Sequence, residues 1–289
     1  MIYEPPAIYG IIGNPVAHSL SPLMHNAAFK ALKVNAVYKL FALADEEELK
    51  LFMEDLKEGD NPIFGLNVTV PYKEKVLPYL DSIDPLAERI GAVNTLVIDH
   101  KRKICGFNTD GPGFLSHLTE LKFDLKDKRV VVLGAGGTTR AIVSVLSLLD
   151  PSPKCITIYN RTKAHADALV EQIGAKIRTD MITVAERPQD LNIESADLLI
   201  NTTNVGMKTG EALLINPASL HKGMLVYDVI YSPPETNLLL EARKRGARTA
   251  NGLGMLFYQG VLAFWHWAEI EPDERVKKIM RQSLDKQRG

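Results

Sequence analysis

Short apolar runs alternate along nearly the whole chain with stretches whose apolar positions recur at helical spacing, the texture of an α/β protein. The pattern predicts a strand over 7–12, a helix over 22–33, a strand over 37–42 and an acid-rich amphipathic helix over 45–57. A strand over 64–70, helices over 73–80 and 84–90, and a hairpin of 95–98 with 104–107 follow, then a helix over 111–121. A charged connector, 122–129, leads into a repeated strand–helix pattern with strands at 130–133, 155–159, 197–201 and 225–229. These strands are rich in Val, Ile and Leu with little alternation, as expected of a parallel sheet covered on both faces. Asn251 opens a last helical region. The expected fold is α/β in two domains. Residues 1–115 form a first α/β domain, joined by C-terminal helices in 251–289, and 116–250 form a Rossmann-like, doubly wound parallel-sheet domain.

A length of 289 residues agrees with two cores rather than one. With 34 basic and 35 acidic residues and no run of like charge, nothing marks a nucleic-acid or membrane surface. No apolar stretch approaches the roughly 18 residues of a membrane span, and the start MIYEPPAIYG lacks a basic leader, so the expected compartment is cytoplasmic. Cys105 and Cys155, without CxxC spacing, make neither a disulfide framework nor a metal site and read as two small buried hydrophobes. No metal is expected. Nothing fixes an oligomeric state; a homodimer is compatible with the sequence.

Chemistry first shows in Val132-Leu133-Gly134-Ala135-Gly136-Gly137-Thr138-Thr139, where a strand ends in a glycine turn that runs directly into a helix. Such a turn brings the backbone N–H groups of Gly134, Ala135, Gly136, Gly137 and Thr138 against a pyrophosphate on the positive end of the helix. Threonine stands at 139, where a third glycine would fall. The next strand ends Asn160-Arg161-Thr162-Lys163, with no acid of the kind that NAD-preferring folds place about 20 residues on. Arg161 and Lys163 could pair with a 2′-phosphate, which favours NADP; the alternative is a solvated basic helix start. Arg140 is either a second phosphate cation or a plain helix residue.

Four segments of the first half are dense in polar residues beside Gly and Pro. In Ser19-Leu20-Ser21-Pro22 two hydroxyls at a helix start could hold a carboxylate, although Ser21 before Pro22 also reads as an ordinary N-cap. In Asn67-Val68-Thr69-Val70-Pro71-Tyr72-Lys73-Glu74-Lys75 a lysine past a strand end can give a proton to a carbonyl, with Lys73 only slightly preferred over Lys75. Asn94, in Gly91-Ala92-Val93-Asn94-Thr95, and Asp110, in Asn108-Thr109-Asp110-Gly111, serve equally as turn and N-cap residues or as ligands.

Taken together and in order, HSLSPLMHN, GLNVTVPYKEKV, GAVNTL, GFNTDGPGF, VLGAGGTTRA, NRT, NTTNVGM and NGLGMLFYQG resemble the shikimate dehydrogenase family, which includes quinate/shikimate dehydrogenases. The resemblance implies reversible reduction of 3-dehydroshikimate to shikimate by NADPH, a step of aromatic amino acid and chorismate biosynthesis. It implies that Lys73 and Asp110 are the catalytic pair. Ser19 and Ser21 would bind the carboxylate and Thr69, Asn94 and Asp110 the ring hydroxyls, with Tyr231 and Gln259 completing the pocket. Thr203, Val205, Met207 and Gly252 would lie with the coenzyme. A cationic lysine stabilises charge developing on the carbonyl oxygen, an effect worth about 10²–10⁴ in rate. Family members with NRTxxR carry an arginine where this chain has His165, which admits NAD as a second coenzyme, and the paired serines also occur in members that accept quinate, which admits quinate as a second substrate. Folate methylene dehydrogenases share the glycine loop but not SLS, NTD and YQG together. A ligand sensor on this fold would need no proton donor, so Lys73 with Asp110 argues against one.

Overall fold

In the computed structural model, residues 5–208, 210–269 and 271–285 are described. Their Cα positions fall into two compact units: the described residues through Gly113 with those from Leu256 onward, and Phe114–Met255.

The first unit holds β1 (Ala7–Gly13), α1 (Ser21–Leu32), β2 (Ala36–Ala42), α2 (Glu46–Asp55), β3 (Ile63–Val68), β4 (Ser82–Ile83), α3 (Pro85–Ile90), β5 (Thr95–Ile98) and β6 (Ile104–Phe107). Its sheet runs β2-β1-β3-β5-β6-β4; β1 pairs in parallel with β2 and β3, and β5 antiparallel with β3 and β6. Ile12, Leu66, Val68, Leu96 and Ile104 from the strands close one core with Leu49 and Met53 of α2. The N-cap of α2 is Asp45, whose carboxylate accepts from the N–H groups of Glu47 and Glu48. Helix α4 (Asp110–Glu120) follows β6.

The expected helix over 73–80 is absent. A turn and a single 3₁₀ turn, Leu77–Tyr79, stand there, because Pro78 has no N–H to give the Glu74 carbonyl and so cannot continue an α-helix. The Lys73 carbonyl instead accepts from Val93 N–H at 2.8 Å.

The second unit contains β7 (Arg129–Leu133), α5 (Gly137–Ser147), β8 (Cys155–Tyr159), α6 (Lys163–Gly174), β9 (Ile182–Val184), β10 (Leu198–Asn201), β11 (Leu225–Asp228), α7 (Asn237–Lys244) and β12 (Arg248–Asn251). The six strands are all parallel in the order β12-β11-β10-β7-β8-β9, the doubly wound Rossmann arrangement, which reverses direction between β7 and β10. Successive residues of β7 serve opposite faces: Val130 and Val132 pack with Ile142 and Leu146 of α5, Val131 and Leu133 with Leu238 and Ala242 of α7. That double burial explains the unbroken apolar run. Toward the sheet edge the rule lapses, and β8 alternates, leaving Cys155 half-buried. Cys105 is half-buried as well, so neither cysteine is the buried hydrophobe expected. The two-to-four-residue strands β4, β9 and β12 lie at sheet edges and carry too few positions for a period to show.

Helices α8 (Leu253–Ala268) and α9 (Glu274–Asp285) end the chain, α9 packing on α1. Among the described residues no helix is long and apolar enough to cross a membrane, and no cluster of side chains could hold a metal ion.

Candidate active site and coenzyme loops

In the first unit three turns converge. Lys73 follows β3, Asn94 precedes β5, and Asp110 is the first residue of α4. Lys73 Nζ donates to Asp110 Oδ2 at 2.5 Å, with 11% and 9% of the two side chains exposed. Asn94 Nδ2 donates to the other oxygen, Asp110 Oδ1, at 2.9 Å. Asn94 is itself held, its Oδ1 accepting from Thr109 N–H at 2.7 Å. Both carboxylate oxygens are therefore engaged, one by a cation and one by an amide whose orientation the backbone fixes. Lys75 turns to the surface and pairs with Glu46 at 2.5 Å, with 40% and 69% of the side chains exposed. Of the two lysines left open by the sequence, Lys73 is the one that reaches Asp110.

Behind this pair lies a buried polar chain that sequence reasoning missed. Tyr38 Oη donates to Asn67 Oδ1 at 2.7 Å, and Asn67 Nδ2 donates to Thr95 Oγ1 and to the Asn94 carbonyl, both at 3.2 Å. The available signal was an asparagine between Leu66 and Val68 in a strand otherwise apolar. Asp110 is the first helical residue of α4 rather than its N-cap, and the Gly111 N–H in its first turn goes to Asn108 Oδ1 at 3.2 Å.

The serines also differ from the capping expectation. Leu20 is the N-cap of α1, Ser21 is its first helical residue with Pro22 next, and Ser19 Oγ accepts from Ser21 N–H at 3.3 Å. Ser21 is buried and Ser19 half-buried. Thr69 is half-buried beyond β3, its methyl against Gly13, where an added Cβ would lie 2.3 Å away. Gln259 is buried on α8, and a Cβ on Gly113 of α4 would fall 2.7 Å from its backbone nitrogen, so the glycine lets these backbones approach.

In the second unit the glycine loop joins β7 to α5 at the reversal point. Gly134 has φ +118°, and a Cβ there would lie 2.4 Å from Thr202 Oγ1. Gly136 is the N-cap of α5, no side chain caps that helix, and a Cβ on Gly136 would meet nothing within 4 Å. Beside Ala135, Gly137 and Thr138, this leaves first-turn N–H groups and open space, which fits a pyrophosphate. Thr139 has a use of its own: its Oγ1 accepts from Gly136 N–H at 3.2 Å and bonds Thr202 Oγ1 at 2.7 Å, fastening the turn to the end of β10. Arg140 is buried and donates to Gln172 of α6, the plain helix-residue alternative.

At the end of β8, Asn160 Nδ2 donates to the Thr162 carbonyl at 2.8 Å. Lys163 pairs with Asp167 one turn along α6 at 2.8 Å, and that hydrogen bond raises its pKa. Arg161 and His165 are exposed, and among the described residues Arg161 makes no ion pair. The cation open to a phosphate at this strand end is Arg161.

Thr203, Val205 and Met207 lie on the loop after β10, with Met207 54% exposed. Glu211 fastens this loop by accepting from Gly206 N–H at 2.7 Å and Lys208 N–H at 3.2 Å, bonds that hold its carboxyl below the usual range. Tyr231, half-buried, follows β11. Gly252 follows β12, where a Cβ would sit 1.9 Å from the Val229 carbonyl oxygen.

A Rossmann sheet with an uncapped glycine turn, and a separate unit carrying a buried lysine–aspartate pair, define a two-unit α/β oxidoreductase. Residues 11–96 match the shikimate dehydrogenase substrate binding domain, and 117–223 match the shikimate / quinate 5-dehydrogenase family. The chain is 43% identical over 281 residues to the shikimate dehydrogenase (NADP(+)) of Bacillus cereus, covering 96% of this chain and 98% of that protein. Among solved structures, shikimate dehydrogenase from Aquifex aeolicus superposes with a TM-score of 0.87 at 37% identity, covering 98% and 99% of the two chains. Shikimate 5-dehydrogenase from Thermus thermophilus in complex with NADP(H) and shikimate gives 0.82 at 34% identity, covering 96% and 98%. Quinate dehydrogenase from Corynebacterium glutamicum in complex with NAD gives 0.86 at 30%, covering 97% and 99%. The chain belongs to the shikimate dehydrogenase family.

Proposed function

We propose that this protein catalyses the reversible NADPH-dependent reduction of 3-dehydroshikimate to shikimate, the first unit holding the substrate and the second the coenzyme. The observation that carries the reading is the Lys73–Asp110 pair, 2.5 Å apart and almost wholly buried, set among hydroxyl and amide side chains suited to a polyhydroxylated ring.

Bound NADPH supplies hydride from nicotinamide C4 to the ketone carbon. The ketone oxygen gains negative charge as that happens. Lys73 Nζ, cationic and oriented by Asp110, stabilises the charge and gives the oxygen its proton. Asp110, fixed by Asn94, keeps the ammonium aimed and accepts from a ring hydroxyl. Thr69 and Asn94 bind further hydroxyls, and Gln259 lines the same pocket. Ser19 and Ser21 take the carboxylate at the start of α1, where the helix dipole favours an anion. Gly134, Ala135, Gly136, Gly137 and Thr138 cradle the pyrophosphate, Asn160, Arg161 and Thr162 take the adenosine ribose and its 2′-phosphate, and Lys163 adds positive charge while bound to Asp167. Thr203, Val205, Met207 and Gly252 serve the nicotinamide half.

The test is product identity. Protein mixed with 3-dehydroshikimate and NADPH is expected to convert both in equal amounts, with shikimate the sole new compound by chromatography. Oxidation of NADPH without shikimate, or no oxidation, would overturn the reading.

A further inference from the structure

The last residues of four parallel strands stand in one row at the carboxyl edge of the Rossmann sheet: Leu133, Asn201, Asp228 and Asn251 pair in register. Ligands of such sheets bind beyond this edge. The middle of the row is a wholly buried carboxylate that the proposed chemistry does not use. Asp228 Oδ1 accepts from Asn201 Nδ2 at 3.0 Å and from Ile230 N–H at 3.1 Å, and Oδ2 accepts from Thr236 Oγ1 at 2.7 Å.

Each bond has a fixed direction. Asn201 Oδ1 is occupied, accepting from Thr203 N–H at 3.1 Å and Thr203 Oγ1 at 2.7 Å, so its amide nitrogen must face Asp228. The same nitrogen reaches the Val205 carbonyl at 3.1 Å. Thr236 Oγ1 accepts from Leu239 N–H, so its proton goes to Asp228. Three donors converge where only an acceptor serves. We propose that Asp228 is a positioning residue for the coenzyme, its carboxylate locking the loops after β10 and β11 into one arrangement through Asn201, Ile230 and Thr236. This rests on the functional reading above, since the loop after β10 carries Thr203, Val205 and Met207. Burial pushes the carboxyl up to about 6, and its three partners are all neutral donors, so stability alone does not account for a carboxylate here.

Asp228→Asn keeps the shape but turns one acceptor into a donor. It is expected to raise the KM for NADP⁺ and the Kd of NADPH, followed by nicotinamide fluorescence, each about tenfold. The Kd of shikimate measured without coenzyme stays unchanged, a split that general destabilisation would not produce. Asn201→Ala, which unfastens the β10 loop while leaving Asp228 two donors, is expected to show the same split and stands in if Asp228→Asn does not fold. A folded variant with wild-type coenzyme KM and Kd, or with substrate and coenzyme weakened alike, would overturn the proposal. Wild-type protein that binds no NADPH would instead overturn the functional reading.

Discussion

Replacing Lys73 by alanine removes the cation that pairs with Asp110. The ammonium lies 2.5 Å from the carboxylate with 11% of its side chain exposed, so the charge acts where water screens it poorly. Loss of a positioned proton donor lowers rates by about 10²–10⁴, equivalent to about 3–5.5 kcal/mol of barrier. Asp110 keeps its bond from Asn94, so the remaining site keeps its shape. Ser19, Ser21 and the glycine loop belong to other segments and are untouched. The expected result is kcat down by about that factor, with shikimate Kd and NADP⁺ KM close to wild type. The assay is the initial rate of NADP⁺ reduction with saturating shikimate, alongside direct shikimate binding. Lys75→Ala is the matched control: its pair with Glu46 is exposed and contributes little. Turnover of Lys73→Ala within a few-fold of wild type would refute the role, and equal loss in Lys75→Ala would refute the distinction drawn from the geometry.

Gly134→Ala places a side chain at φ +118° and within 2.4 Å of Thr202 Oγ1; it is expected to cost about 2–4 kcal/mol in urea unfolding and to weaken NADP⁺ binding. Arg161→Ala is expected to raise the KM for NADP⁺ about tenfold and leave that for NAD⁺ unchanged, while Lys163→Ala, its ammonium already bound to Asp167, moves either little; equal effects of the two on NADP⁺ would contradict the assignment. His25 lies wholly buried against Tyr38 and Trp267, and burial lowers its pKa from 6.5 to about 3. Between those values the folded chain binds fewer protons than the unfolded one, so this contribution is complete above pH 6.5 and fades by about 1.4 kcal/mol per unit toward pH 3. Asp228, pushed up from 3.8 to about 6, acts in the opposite sense between those two values, so the His25 effect is isolated by comparison with His25→Gln. The stability gap between wild type and His25→Gln, by urea unfolding, is expected to shrink as the pH falls from 7 to 4; a constant gap would count against it.

The apolar runs of β7, β10 and β11 are legible because a doubly wound sheet buries both faces, and the hairpin of β5 and β6 because Asp99-His100-Lys101 interrupts two apolar runs. The non-helical turn at 73–80 is harder to read, since Val76, Leu77 and Leu80 follow Lys73 at helical spacing, which Pro78 and the bond from Val93 override. The choice between Lys73 and Lys75 is invisible locally, because it depends on which turn of the chain, twenty residues on, captures the Lys73 carbonyl. Asn67, Thr95 and Tyr38 reveal themselves only once strands pair, since each is unremarkable in its own segment. Asp228 is likewise an acidic residue ending a strand until Asn201 and Thr236 are seen to aim donors at it.

The central claim is tested most directly by initial rates of the purified protein with shikimate or quinate, each with NADP⁺ or NAD⁺. The account predicts the highest kcat/KM for shikimate with NADP⁺, and with NAD⁺ a loss expressed mainly in coenzyme KM. Turnover of quinate with NAD⁺ equal to that of shikimate with NADP⁺ would contradict it, as would the absence of turnover in all four mixtures.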